Sequence, residues 1–242
     1  SANSPAKHIF GSSGKIVSPM EIKILDADGV EQPFGVKGEI CIKGENVMAG
    51  YWKNPKSTAD TIVDGWLHTG DMGYMRDAEM LYVVGRFKSL LIAADGEKYS
   101  PEGIEENLVE NSKYIDGALL HNSQDPYTIA LVTPNKEALK KYAQELGLDP
   151  ASQEAKEKML LLIESEVNAY RKGGKFAGAF PDRWLPAAIC VLPEPWTEQN
   201  HFLNSSMKVV RGRVEETYKA NMEYAYTPEG KNIVNDMNLA SL

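Results

Sequence analysis

The stretch VVGRFKSLLIAADGEKYSPEGIEENL, residues 83–108, marks a change in the texture of the chain. Before it, MEIKIL (20–25) alternates apolar and polar residues, DADG (26–29) is a turn, and GEICIKG (38–44) alternates again. DMGYM (71–75) and MLYVV (80–84) follow, with RDAE between them. Period-two alternation punctuated by glycine and aspartate predicts a small antiparallel β unit. Gly85 and Arg86 end that unit. From Lys88 onward strands and helices alternate, beginning with SLLIA (89–93) as a buried strand. Ser100-Pro101-Glu102 reads as a helix start: serine caps, proline fits the first helical position, and glutamate favours the positive end of the dipole.

Further along, two apolar strands are expected at residues 115–120 and 128–133. A helix then starts near Asn135, with Leu139, Tyr142, Ala143 and Leu146 at helical spacing and Gly147 as its stop. A second amphipathic helix spans residues 152–170, with Met159, Leu162, Ile163, Val167 and Tyr170 on one face. The glycine-rich RKGGKFAGAFPDRW (171–184) reads as a loop and residues 187–192 as a last strand. PEPWTEQNHFLNSS (193–206) is irregular, and the chain is helical from Val214 until a polar tail. The fold class is therefore α+β, an antiparallel β unit over residues 1–86 followed by an α/β unit over residues 87–242.

Composition narrows the function. A chain of 242 residues allows one to two domains at roughly 150 residues each. Apolar residues at 43% and charged residues at 25% are ordinary for a folded protein. The 26 Lys and Arg against 34 Asp and Glu leave a net charge of −8, so no basic stripe is available to follow a phosphate backbone, and nucleic acid is not an expected partner. Cys41 and Cys190 lie in separate apolar stretches, which argues for two buried thiols in a reducing compartment, and hence a cytoplasmic location. No apolar run approaches the roughly 18 residues of a membrane span, and SANSPAKHIFGSSGK at the start lacks a signal-peptide pattern. Peripheral membrane contact stays open.

Three polar positions stand out. Asp71 ends WLHTGD, and although a Gly-Asp pair is by itself an ordinary turn, an ionised carboxylate can accept from both hydroxyls of one ribose. Arg86 follows fifteen residues later, at the end of a strand where arginine usually makes a surface ion pair. Lys208, in LNSSMKVVR (203–211), sits between an irregular loop and a helix, where lysines are normally solvated.

Order and spacing change that assessment. The run GEICIKGENVMAGYWKNPKSTADTIVDGWLHTGDMGYM (38–75), then residues 83–108, then LNSSMKVVR resembles three successive signature blocks of the adenylate-forming superfamily, which includes acyl-CoA synthetases, luciferases and peptide-synthetase adenylation domains. The resemblance covers residues 11–216. Within the superfamily it is nearest to long-chain fatty acyl-CoA ligases, on NKEALKKYAQELGL (135–148) after IALVTP (129–134) and on LPEPWT (192–197) before the lysine motif. The tail has no serine phosphopantetheine segment, which argues against a peptide-synthetase module.

The resemblance implies a two-step chemistry, acyl-adenylate formation from ATP and then CoA displacing AMP, with a lid turning about a hinge between the steps. It assigns Asp71 and Arg86 to nucleotide binding, Lys208 to catalysis of adenylation, Lys88 to the hinge and Gly96 to a loop facing CoA. Glu105 matches a glutamate for which a structural role is as reasonable as a functional one. Residues 1–86 would be the last subdomain of the large AMP-binding domain and residues 87–242 the lid. The lysine block departs from the family pattern, reading Asn204-Ser205-Ser206-Met207-Lys208. No Ser/Thr/Gly-rich phosphate loop and no Thr-Glu element for magnesium and adenine occurs before Gly11. The expectation is a C-terminal piece that uses fatty acid, ATP, CoA and Mg2+ only when joined to an N-terminal part, with no cofactor held tightly and no metal-ligand motif of its own. Another carboxylic acid CoA ligase and a non-catalytic lid-like binding chain are the alternatives.

Overall fold

The structure, a computed structural model, describes residues 1–5 and 8–242, with Lys88 described in its backbone only. The chain divides into two compact units, Ser1–Leu90 and Leu91–Leu242.

The first unit is an antiparallel sheet. Its strands are β1 (Gly14–Lys15), β2 (Glu21–Leu25), β3 (Gly38–Lys43), β4 (Ile62–Val63), β5 (Trp66–Met75) and β6 (Met80–Arg86), with helix α1 (Pro55–Thr61) before β4. They lie in the order β1-β6-β5-β3-β2, with β4 pairing on β5. Ile24, Ile40, Met75 and Leu81 form the buried cluster of this unit, as period-two alternation requires. β5 is longer than DMGYM suggested, because WLHTG extends it through irregular pairing with β3.

The second unit has three layers. After the short hairpin β7 (Leu91–Ile92) and β8 (Lys98–Tyr99) come α2 (Glu102–Glu110), β9 (Ile115–His121), β10 (Ile129–Pro134), α3 (Lys136–Glu145), α4 (Gln153–Asn168) and β11 (Ala188–Val191). The chain ends in α5 (Arg211–Thr217), α6 (Lys219–Ala225), α7 (Pro228–Lys231) and α8 (Asp236–Ser241). β10 is the centre of the sheet, antiparallel to β9 and parallel to β11. Successive residues of β10 feed opposite cores. Ala130 and Val132 pack with Leu108, Leu139, Met159 and Ile163 from α2, α3 and α4. Ile129 and Leu131 pack with Phe202, Val214, Tyr218 and Met222. Burial on both faces explains why IALVT is a continuous apolar run, and each such side chain contributes about 1.5–3 kcal/mol on leaving water.

Four local expectations need correction. SLLIA forms only the two-residue strand Leu91–Ile92, because its partner Lys98–Tyr99 is equally short. Ser100 does not cap α2: Pro101 already has helical torsions, and no side chain makes a cap hydrogen bond there. Asn135 and Ser152 do cap α3 and α4, through the N–H groups of Ala138 and Ala155. Leu146 is 48% exposed and lies off the buried face, since α3 stops at Glu145 and Gly147 turns the chain at a φ of +75°. Residues 227–242 are not a polar tail. Asn238 is buried; it accepts from Val191 N–H at 2.8 Å and donates to the carbonyls of Ile189 and Ile233 at 2.9 Å. One side-chain amide thereby satisfies the free edge of β11 and docks the chain end.

Candidate active site

Asp71 owes its position to a bulge. Glu39 pairs with Met72 and Cys41 with His68, so Ile40 alone on β3 stands opposite Thr69, Gly70 and Asp71 of β5, which bow out of this ladder. Gly70 sits at a φ of +72°, where an L side chain is strained. Two side-chain contacts with β3 hold the bow. Thr69 Oγ1 donates to the Ile40 carbonyl at 2.7 Å and accepts from Asp71 N–H at 3.0 Å. Glu39 Oε1 accepts Gly70 N–H at 3.0 Å, while its Oε2 contacts His68 Nδ1 at 2.8 Å.

Arg86 is the strand partner of Asp71. A second register shift lies beside the pair, where Met72 faces Gly85 but Gly73 faces Val83. The Arg86 Nε stands 3.3 Å from Asp71 Oδ1, and both side chains are open to solvent. An ion pair this exposed adds little stability. It holds a carboxylate and a guanidinium side by side, a set of acceptors and donors of the kind that can meet a sugar hydroxyl or phosphate. The sequence pointed to both residues but not to the pairing, which depends on the register of β5 and β6.

In the second unit Gly96 and Lys208 occupy separate loops. Gly96 has a φ of +85° and nothing near its absent Cβ. Its N–H bonds the Ala93 carbonyl at 2.8 Å and Ala93 N–H bonds the Glu97 carbonyl at 2.9 Å, so glycine is required here by the turn joining β7 to β8. Lys208 lies on a tight loop closed by a bridge between Leu203 and Val209. Asn204 is the hub: its Oδ1 accepts the N–H groups of Ser206 at 2.9 Å and Lys208 at 3.0 Å, and its own N–H bonds the Lys208 carbonyl. Met207, at a φ of +61°, completes the reversal and leaves Lys208 exposed. The unusual NSSM approach to this lysine is thus an asparagine-organised turn. The Lys88 side chain lies outside the described residues; its backbone is in the 3-10 turn Phe87–Ser89.

Arg211, three residues beyond Lys208, was not singled out from sequence. It makes a bidentate contact with Glu105, and burial holds the Glu105 carboxyl above the usual range against the opposing pull of Arg211 and of Leu120 N–H. A basic residue following an exposed lysine motif was the available signal, but its partner is 106 positions away. Among the described residues, the one His/Cys/Asp/Glu cluster compact enough for a cation is Glu39, Cys41 and His68. That mixed oxygen, sulfur and nitrogen set does not fit Mg2+, which takes oxygen ligands. No helix is long and apolar enough to cross a membrane among the described residues.

Residues 2–52 match the family model described as AMP-binding enzyme. Over 230 residues, 93% of the chain and 33% of the relative, the sequence is 31% identical to long-chain-fatty-acid–CoA ligase 5 of Mus musculus. A shorter stretch of 117 residues, 48% of the chain and 24% of the relative, is 43% identical to 2-succinylbenzoate–CoA ligase of Bacillus cytotoxicus. The solved structure of O-succinylbenzoate coenzyme A synthetase from Bacillus subtilis, in complex with ATP and magnesium ion, matches with a TM-score of 0.58 at 26% identity, over 86% of this chain and 36% of that one. The chain spans between a quarter and a third of the length of these curated relatives. These matches show that the chain belongs to the adenylate-forming, AMP-binding superfamily, as a part of such a protein.

Proposed function

We propose that this chain is the C-terminal part of an ATP-dependent long-chain fatty acid CoA ligase, with residues 1–86 closing the large AMP-binding domain and residues 87–242 forming its lid. In the first step a fatty acid carboxylate attacks the α-phosphorus of ATP and pyrophosphate leaves. In the second the CoA thiol attacks the acyl carbon and AMP leaves. The observation that carries this reading is the presentation of Asp71 and Arg86 side by side on paired irregularities of β5 and β6. Asp71 accepts from the ribose hydroxyls and Arg86 donates to the ribose or its phosphate. Lys208, a compact cation on a loop ordered by Asn204, bridges the substrate carboxylate and the α-phosphate as charge builds in adenylation. Lys88 is the hinge, and the loop carrying Gly96 lies along the pantetheine arm. ATP, CoA and Mg2+ serve the whole protein; the magnesium ligands belong to its other part, and this chain by itself neither binds ATP tightly nor turns over.

Long-chain acids are favoured because the likeness to the mouse ligase extends over 93% of the chain. The higher identity to a succinylbenzoate ligase over about half of the chain supports a second reading, a ligase for another carboxylic acid. The experiment is thioester formation by the whole protein, with palmitate, 2-succinylbenzoate and 4-coumarate compared at equal concentration. Palmitate should give the highest kcat/KM. A preference for either aromatic acid would replace the long-chain reading, and no thioester with any acid would remove the ligase reading.

A further inference from the structure

Glu39 and Cys41 are two residues apart on β3, so their side chains leave the same face of the sheet. His68 on β5 is the strand partner of Cys41 and joins them. His68 Nδ1 lies 2.8 Å from Glu39 Oε2 and 3.5 Å from Cys41 Sγ, and one donor atom from each residue falls within 4.8 Å of the others. Around a tetrahedral Zn2+ with bonds of about 2.0–2.3 Å, neighbouring donors stand roughly 3.3–3.7 Å apart, within small rotamer adjustments of this arrangement. We propose that Glu39, Cys41 and His68 bind a thiophilic divalent cation of the zinc class.

The donor set selects the ion. A thiolate with an imidazole excludes Mg2+ and Ca2+ in favour of Zn2+, Co2+ or Cd2+. Three protein ligands leave a fourth position for water, and that position is open because His68 and Glu39 are only partly covered, at 29% and 23% side-chain exposure. Cys41 is fully buried at the base. On binding, the Cys41 S–H bond breaks as sulfur bonds the metal and its proton goes to solvent; His68 gives up the Nδ1 proton that faces Glu39 Oε2 and carries its ring proton on Nε2, so that Nδ1 takes the ion, and Glu39 binds through Oε2. Glu39 is already oriented for this, since its Oε1 is fixed on Gly70 N–H. Lys23, the strand partner of Cys41 on the other side, places its ammonium over the Trp66 ring at 4.3 Å. Glu39 also holds the bow that presents Asp71, so the site is tested by metal binding and not by the activity proposed above.

The test is a Co2+ titration of the metal-free 242-residue chain followed by absorption. A thiolate-to-cobalt charge-transfer band should grow to one equivalent, be erased by Zn2+ and be unaffected by excess Mg2+. Cys41→Ser should abolish the band and Cys190→Ser should keep it. His68→Gln, a change at a partly exposed position whose folding is checked by thermal unfolding, should weaken Co2+ binding at least tenfold. Absence of the band in the unsubstituted chain, its persistence in Cys41→Ser, or unchanged affinity in folded His68→Gln would overturn the site. If Cys41→Ser does not fold, the histidine variant decides.

Discussion

Glu105 and Arg211 form an ion pair that ties α2 to the start of α5, just beyond the loop carrying Lys208. Arg211 Nη2 donates to both Glu105 oxygens, at 2.6 and 2.8 Å, and Nη1 donates to the Leu120 carbonyl at 2.6 Å. Leu120 N–H returns a bond to Glu105 Oε1 at 2.6 Å. The side chains are only 14% and 21% exposed, so either partner alone would be a charge held largely out of water.

Removal of one partner should therefore cost more than removal of both. Glu105→Ala and Arg211→Ala should each destabilise the second unit by ~3 kcal/mol, and the double variant by clearly less than their sum. A double-mutant cycle in urea checks this. Additive losses would mean that the contact is incidental to folding.

Gly70 and Gly73 separate torsional from steric demands on one strand. A Cβ at Gly70 meets nothing within 4 Å but must tolerate the +72° φ, so Gly70→Ala should cost about 1–2 kcal/mol. A Cβ at Gly73 would lie 2.4 Å from the Tyr82 carbonyl oxygen and 2.6 Å from Ile40 Cδ1. Gly73→Ala should be the more damaging, because backbone has to move. Denaturant midpoints of the two variants give the order directly.

Much of the second unit is legible in sequence because its signals are local. Asn135 and Ser152 announce helices through their own side chains, and IALVT announces a doubly buried strand. What escaped depends on distant partners. Asn238 is polar in sequence and buried in the fold because β11 offers it an N–H and a carbonyl. Glu39, Cys41 and His68 become neighbours only once the register of β3 on β5 is fixed. Gly147 announced the stop of α3, but Leu146 fits the helical period and still falls outside the last turn, because periodicity does not tell how many residues before the glycine the helix ends.

Alkaline pH should weaken the second unit through Cys190. Burial pushes its thiol up to about 12 from 9.0, and its Sγ donates to the Asn221 carbonyl at 3.3 Å, a bond only the neutral form makes. The folded state then holds its proton where the unfolded state has lost it. The contribution is complete below pH 9 and lost as pH rises toward about 12, with a limiting slope of about 1.4 kcal/mol per pH unit. Urea unfolding at pH 8 and pH 10 should show the loss, and Cys190→Ala should flatten it.

The sharpest consequence of the proposed activity is a separation of half-reactions in the whole protein. Lys208 sits exposed on a loop whose shape is set by Asn204, so Lys208→Ala removes a charge without removing the loop. If that charge acts only as negative charge builds at the α-phosphate, acyl-adenylate formation should fall about 100-fold or more, by analogy with loss of one transition-state donor. Thioester formation from supplied acyl-adenylate should stay nearly intact. Lys88→Pro should do the reverse, because a fixed torsion in the turn Phe87–Ser89 would block rotation toward the CoA-accepting state. Both variants are assayed with ATP and with preformed acyl-adenylate. Equal loss of both steps in Lys208→Ala would assign the lysine to binding or folding, and an unaffected second step in Lys88→Pro would place the hinge elsewhere.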